Sequence, residues 1–170
     1  MALPLIERAR GRAEIVVVVS DAPLSRLAAR CAELKPDWIQ AHGSETPAQL
    51  AELKPLARKG VIKGLGIARE EDFAAVSGFA QVVDMLLFDA KPPKGAERAG
   101  GHGVAFDWKL LKDRRFPKPW FLSGGLNPEN VAEAIALSGA GLVDVSSGVE
   151  SAPGIKDPAR IAAFLAAAKA

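Results

Sequence analysis

The feature that most constrains the fold is a series of short apolar runs, each followed by a segment with helical spacing. The clearest run is Glu14–Val19 (EIVVVV), which is β-branched and does not alternate with polar residues. Such a run is typical of a strand buried on both faces of a parallel sheet. Five more predicted strands follow at Asp37–His42, Val61–Ile67, Asp84–Phe88, Pro119–Leu122 and Leu142–Val145. Strands alternating with helices predict βα units and a single α/β domain over residues 1–170.

Two architectures fit this alternation of strands and helices. An open doubly wound sheet accommodates six strands, whereas a closed eight-stranded barrel takes about 250 residues and at least about 200. The chain has 170 residues. The count by itself therefore favours the open sheet.

The charge balance excludes several classes of partner. The chain has 22 Lys and Arg against 20 Asp and Glu, without a basic block, so neither nucleic acid nor an anionic membrane is expected. No apolar run approaches the roughly 18 residues that cross a bilayer. The single cysteine, Cys31, lies on the apolar stripe of a predicted helix and cannot form an internal disulfide. Because no secretory leader opens the chain, we expect a cytoplasmic protein.

Small polar residues follow the carboxyl ends of the predicted strands, where parallel α/β proteins build their sites. Two glycine-containing turns come after the last two strands: Ser123-Gly124-Gly125 and Ser146-Ser147-Gly148. Their backbone N–H groups could hold a phosphate, or the glycines could simply serve two tight turns. Ser146 lacks the Gly-x-Ser-x-Gly motif, so a hydrolase is poorly supported.

Three titratable residues at strand ends each allow two interpretations. Asp89 ends an apolar strand and is either a general acid or a cap. Asp144 lies within an apolar run and must bond either neighbouring backbone or substrate hydroxyls. His42 is either a ligand-binding residue or a hydrogen-bonded strand-end histidine. With two histidines and no clustered cysteines, we expect no metal site.

A long loop, Ala90–Gly103 (AKPPKGAERAGGHG), follows Asp89. Long ordered loops are more often functional than not. Lys91 and Lys94 could steer an anionic substrate or be a solvated face, and His102 is expected to be solvated.

Several longer motifs resemble those of a known protein family. They are Gln40–Glu45 (QAHGSE), Leu86–Ala90 (LLFDA), Gly100–Gly103 with Phe106–Trp108, Phe121–Asn130 (FLSGGLNPEN) and Val143–Gly154 (VDVSSGVESAPG). In sequence and order they resemble the phosphoribosylanthranilate isomerase family of tryptophan biosynthesis. The resemblance covers essentially all 170 residues.

The resemblance implies a (βα)8 barrel that performs an Amadori rearrangement of an aminoaldose phosphate to an aminoketose phosphate without a cofactor. It implies that Asp89 is the general acid, that Asp144 meets sugar hydroxyls and that His42 lines the aromatic end. The substrate phosphate would be held by Gly124, Gly125, Ser146, Ser147 and Gly148. The implied partner is a small phosphorylated sugar.

The resemblance also implies an incomplete barrel. The six predicted strands match the family's third to eighth, so the family's first strand, first helix and second strand have no counterpart in these residues. The family's cysteine base and an arginine near the anthranilate ring belong to that segment, and Cys31 cannot replace the cysteine from the apolar face of a helix. Impaired isomerase activity is therefore expected, with a phosphosugar-binding module or a shortened barrel without catalysis as alternatives. Open apolar edges at Glu14–Val19 and Leu142–Val145 predict a homo-oligomer or, alternatively, a shifted and re-closed sheet.

Overall fold

The computed structural model describes residues 3–91 and 106–169. Its strands are β1 (Val16–Val19), β2 (Trp38–Ala41), β3 (Gly60–Ile67), β4 (Met85–Ala90), β5 (Trp120–Leu122), β6 (Glu150–Ala152) and β7 (Ile155–Lys156). Its α-helices are α1 (Leu3–Ala9), α2 (Leu24–Leu34), α3 (Pro47–Leu53), α4 (Val76–Ala80), α5 (Val131–Ser138) and α6 (Pro158–Ala167). Short 3-10 helices cover Lys54–Leu56, Glu70–Ala75, Trp108–Leu111 and Ser147–Val149.

The first five strands form one sheet in the order of the chain. β1 pairs with β2 and β2 with β3, both in parallel, so that Val16, Trp38 and Gly60 lie side by side. Five of the six predicted strands are therefore confirmed, and within residues 3–91 and 106–169 the sheet does not close.

The sixth predicted strand, Leu142–Val145, is wrong as a full strand. It is reduced to a single parallel bridge between Leu122 and Val143. The backbone N–H of Asp144 still donates to the Leu122 carbonyl at 2.8 Å, and its carboxylate accepts a hydrogen bond from the Ser123 hydroxyl at 3.0 Å. The antiparallel hairpin of β6 and β7, which turns at Gly154 with a φ of 80°, was not expected from the sequence.

Two helix starts follow from their local sequence. Thr46 caps α3 by accepting from the backbone N–H of Gln49, whose side chain bonds the Thr46 N–H in return, which completes a capping box. Asp157 caps α6 by accepting from the N–H groups of its first turn, and Pro158 occupies the first helical position. Both starts therefore follow from residue types that favour the first turn of a helix.

The chain divides into two compact units. Unit 1 comprises Met1–Gly64 and Val76–Leu86. Its core contains fully buried side chains of β2, α3 and β3, namely Ile39, Leu50 and Val61. Cys31 is buried on α2, as predicted, and burial raises the pKa of its thiol.

Unit 2 comprises Leu65–Ala75 and Leu87–Ala170. An aromatic cluster fills part of its core: Phe88 lies 4.5 Å from Phe116 and 5.5 Å from Trp120 between ring centroids, and Phe73 packs edge-on against it. The cluster holds the middle of β4, which carries Asp89, and the start of β5, which leads into the turn Ser123–Gly125. The prediction of one domain over residues 1–170 stays a prediction.

The expectation that the run Glu14–Val19 is buried on both faces is wrong, because β1 is the outer strand of the sheet and exposes part of that run. Val16 is 43% exposed and Val18 61% exposed, whereas Val19 is buried. The homo-oligomer predicted from such edges stays a prediction that light scattering would check. Among the helices of residues 3–91 and 106–169, none has the length and apolarity needed to span a membrane.

Candidate active site

In unit 2, Asp89 lies directly against the glycine turn that follows β5. Its side chain is 8% exposed, and its Oδ1 accepts a hydrogen bond from the N–H of Ala90 at 2.8 Å. A Cβ atom built on Gly124 would come within 2.7 Å of the same Oδ1 and 2.4 Å of the Ala90 nitrogen. Only a glycine therefore lets the turn approach the carboxyl group this closely.

The turn itself consists of two consecutive left-handed glycines. Gly124 has a φ of 86° and Gly125 a φ of 68°. Asn130 holds the turn by donating from its side-chain nitrogen to the Gly125 carbonyl at 2.9 Å, while its side-chain oxygen accepts from the Asn127 N–H. Turns of this kind form concave sets of N–H groups that bind anions.

The second turn, Ser146–Gly148, packs against the residue that follows the first turn. A Cβ atom on Gly148 would lie 1.8 Å from the carbonyl oxygen of Leu126, so the backbones of Gly148 and Leu126 are in direct contact. The structure thus brings together the predicted phosphate residues Gly124, Gly125, Ser146, Ser147 and Gly148 in one region of unit 2.

Two cationic side chains hold the second turn from outside. The Lys156 ammonium donates to the carbonyl oxygen of Ser146 at 2.9 Å and lies 3.2 Å from its hydroxyl. Arg160 donates from Nε to the carbonyl oxygen of Gly148 at 3.1 Å. The hydrogen bond from Lys156 lowers the pKa of Glu150. Sequence analysis missed Lys156, Arg160 and Asn130, because their roles depend on where β7, α6 and α5 pack.

Asp144 has a side-chain partner in the same region. Its Oδ2 accepts from the hydroxyl of the buried Ser123, which immediately precedes the glycine turn. A partner for this carboxylate was expected, although the sequence suggested backbone or substrate. The bond joins the residue after β5 to the residue after Val143, which pairs with β5 at the Leu122–Val143 bridge.

His42 belongs to unit 1, at the end of β2. Its imidazole lies against Gly64, where a Cβ atom would come within 2.8 Å of Nδ1. The side-chain nitrogen of Gln40 lies 3.2 Å from the same Nδ1. The strand-end histidine is therefore positioned by two neighbours on the sheet.

A buried ion pair lies beside His42, and sequence analysis did not identify it. The Lys63 ammonium is 2.9 Å from the Glu45 carboxylate and donates to the Gly43 carbonyl at 2.6 Å, with side chains only 3% and 7% exposed. Burial acts to raise the pKa of Glu45, but the hydrogen bonds from Lys63 and from the Asp21 N–H outweigh it and hold that pKa below its usual value. The pair fixes the turn after β2.

Beyond Asp89, Lys91 forms an ion pair with Asp72 at 2.8 Å, and this hydrogen bond lowers the pKa of Asp72. The predicted loop residues Lys94 and His102 lie outside the described residues. In the parts of the chain that are described, no group of three or more His, Cys, Asp or Glu side chains could hold a metal ion.

Comparison with known proteins identifies relatives over nearly the whole chain. The family described as N-(5'phosphoribosyl)anthranilate (PRA) isomerase matches residues 5–167. The N-(5'-phosphoribosyl)anthranilate isomerase of Rhodopseudomonas palustris (strain BisA53) is 50% identical over 169 residues, which is 99% of this chain and 78% of the relative. The enzyme of the same name from Caulobacter vibrioides is 48% identical, with 99% and 78% covered.

Solved structures agree with these sequence relatives. Phosphoribosyl anthranilate isomerase from Thermotoga maritima superimposes with a TM-score of 0.85 at 33% identity, over 99% of this chain and 78% of that one. A phosphoribosyl anthranilate isomerase in complex with reduced 1-(o-carboxyphenylamino)-1-deoxyribulose 5-phosphate gives 0.82 at 29% identity, over 99% and 77%. The fold is α/β and TIM-barrel-like. The chain belongs to the N-(5'-phosphoribosyl)anthranilate isomerase family.

Proposed function

We propose that the chain acts in the isomerisation of N-(5'-phosphoribosyl)anthranilate in tryptophan biosynthesis, with Asp89 as the general acid. The observation that supports this most is the contact between Asp89 and Gly124. It places a buried carboxyl group beside a turn suited to a phosphate, and the substrate carries a phosphate and a protonatable ring oxygen on the same sugar.

The role of Asp89 is to start the reaction. Its carboxyl proton passes to the furanose ring oxygen, the bond between that oxygen and C1 breaks, and the nitrogen lone pair forms a C1=N double bond. Loss of the C2 proton then gives an enolamine, which becomes the aminoketose. The proposal assigns the first proton transfer to Asp89 and assigns no residue of this chain to the C2 proton.

The remaining residues bind and orient the substrate. The turns Gly124–Gly125 and Ser146–Gly148 hold the phosphate, in keeping with the usual phosphate site after the last two strands of such barrels. Asp144 accepts from sugar hydroxyls, and its bond to Ser123 fixes its position. His42, held against Gly64, lines the aromatic end.

Replacement of Asp89 by Asn tests the proposal. The Asn variant cannot donate the acid proton, so turnover, followed as loss of substrate fluorescence, should fall by about 10²- to 10⁴-fold. Binding of the reduced product analogue, followed by calorimetry, should be retained. Exposed Asp113 in the same unit supplies the matched control Asp113→Asn, which should leave both unchanged.

Retained turnover in Asp89→Asn would overturn the acid role. Saturable analogue binding without turnover in the unsubstituted chain would instead favour the phosphosugar-binding module. If the unsubstituted chain shows neither analogue binding nor turnover, the proposed function is refuted.

A further inference from the structure

The phosphate turn Ser146–Gly148 is held by a lysine from a different element, β7. We propose that Lys156 is a positioning residue for substrate phosphate: it fixes the Ser146 carbonyl and hydroxyl so that the next N–H and the Ser146 O–H face the phosphate. The inference rests on the proposed function, because it assumes that this turn holds the phosphate.

The three protons of the ammonium account for its three neighbours. Lys156 Nζ lies 2.9 Å from the Ser146 carbonyl oxygen, 3.2 Å from the Ser146 Oγ and 2.6 Å from a Glu150 carboxylate oxygen. An ammonium group has three donors and no acceptor, so each contact can be a hydrogen bond given by the lysine. Glu150 thereby holds the lysine in place on the β6–β7 hairpin.

The orientation of the next N–H follows from peptide geometry. A trans peptide is planar, so its carbonyl and its N–H point in opposite directions. Because Lys156 draws the Ser146 carbonyl toward the hairpin, the Ser147 N–H points away from the hairpin. The carbonyl, which would repel a phosphate oxygen, is turned away by the same bond.

The Ser146 hydroxyl is oriented in a similar way. Its oxygen accepts a hydrogen bond from Lys156, which leaves the hydroxyl's own O–H to donate elsewhere. A serine held like this is a donor rather than an acceptor toward an anion. Lys156 therefore sets both groups of Ser146 for phosphate binding.

Two other side chains hold turn carbonyls in the same manner. Arg160 donates to the Gly148 carbonyl, and Asn130 donates to the Gly125 carbonyl. Lys156 differs from both because it also contacts a side-chain hydroxyl. Its ammonium is paired with Glu150, so we expect its main effect to be orientation, with its charge as a smaller contribution.

The test measures affinity for inorganic phosphate by calorimetry, and KM and kcat for turnover, in the full chain. In Lys156→Met, hydrogen bonds from a charged group are lost, and affinity for phosphate should fall about 10- to 100-fold. KM should rise by a similar factor with kcat little changed, because the turn contributes uniform binding. Lys156→Arg, which keeps a donor for the carbonyl, should restore most of the affinity.

Two controls separate positioning from charge. Lys112→Met removes an exposed positive charge of the same unit and should leave phosphate affinity unchanged. Glu150→Gln keeps both hydrogen bonds from Lys156 to Ser146. It should change phosphate affinity by less than about threefold, which is well below the effect of losing one hydrogen bond from a charged group. If Lys112→Met lowers phosphate affinity as much as Lys156→Met does, the inference is overturned. If Lys156→Met does not fold, failure of the folded Arg variant to bind better than Lys156→Ala would overturn it as well.

Gly148→Ala distinguishes this inference from the proposed function. Its Cβ would collide with the Leu126 carbonyl, so it disrupts the turn itself. Phosphate binding that Gly148→Ala abolishes but Lys156→Met leaves intact would overturn only the role of Lys156. If neither Gly148→Ala nor Lys156→Met affects phosphate binding, the proposed phosphate site is overturned. It is also overturned if the unsubstituted chain does not bind phosphate.

Discussion

Gly124→Ala is the substitution that most sharply tests how the glycine turn is built. The position has a φ of 86°, and an L-residue in left-handed conformation costs about 1–2 kcal/mol. The new Cβ would also lie 2.4 Å from the Ala90 nitrogen and 2.7 Å from Asp89 Oδ1, and such overpacking costs about 1–3 kcal/mol. Together the free energy of unfolding should fall by about 2–5 kcal/mol.

Gly139 provides the matched control for Gly124. It ends α5 with a φ of 74°, and a Cβ there would meet nothing within 4 Å. Gly139→Ala should therefore show the conformational cost of about 1–2 kcal/mol alone and leave kcat/KM unchanged. Gly124→Ala should lower kcat/KM, because the collision displaces Asp89.

Urea denaturation followed by tryptophan fluorescence gives the free energy of unfolding for each variant. The difference between Gly124→Ala and Gly139→Ala isolates the contact with the Asp89 region. If the two variants are equally stable, or if Gly124→Ala keeps full kcat/KM, the close approach of turn and carboxyl group is refuted.

Three further predictions concern residues of unit 1. Lys63→Met leaves the Glu45 carboxylate buried without its counter-ion and should destabilise the fold by about 3–5 kcal/mol in urea; a loss under about 1 kcal/mol, as for an exposed pair, would contradict it. Because the folded pKa of Glu45 is lowered, its stabilisation is present above the ordinary glutamate pKa and is lost as pH falls through the lowered value. Glu45→Gln should reduce the fall in the free energy of unfolding at acid pH. An unchanged fall would contradict a stabilising role of the Lys63–Glu45 pair. Gly64→Ala should displace the His42 imidazole and raise KM. Gly66→Ala on the same strand should not, because its Cβ would come no closer than 3.4 Å to a neighbouring atom, the Cα of Lys91. Equal effects on KM would refute the role of Gly64.

The inner strand β3 was predictable because burial on both faces leaves a local signature. The run Val61–Ile67 contains only small or apolar residues apart from Lys63, and most of β3 is buried. The same reasoning overestimated Leu142–Val145, of which only the Leu122–Val143 bridge and the backbone hydrogen bonds on either side of it pair with β5. Its partner strand β5 has three residues and ends at Leu122, and an apolar run does not show how long its partner strand is.

The residues of the candidate site also fall into those that the sequence indicates and those that it does not. Gly124 and Gly148 stand out in the sequence because turns at strand ends need glycine, and the structure gives each a close backbone or side-chain neighbour. Lys63 and Lys156 do not stand out, since a lysine within a strand is ordinarily solvated. Their importance comes from acceptors that are distant in sequence, Glu45 for the first and Ser146 for the second.

A crystal structure of the chain with the reduced product analogue would show which groups contact the phosphate and the former ring oxygen. In that analogue the former ring oxygen is the hydroxyl on C4, the atom that Asp89 is proposed to protonate. We expect the phosphate to contact the turns at Gly124–Gly125 and Ser146–Gly148 and the Asp89 carboxyl to lie within hydrogen-bond distance of the C4 hydroxyl. A phosphate bound away from both turns, or a C4 hydroxyl out of reach of Asp89, would contradict it.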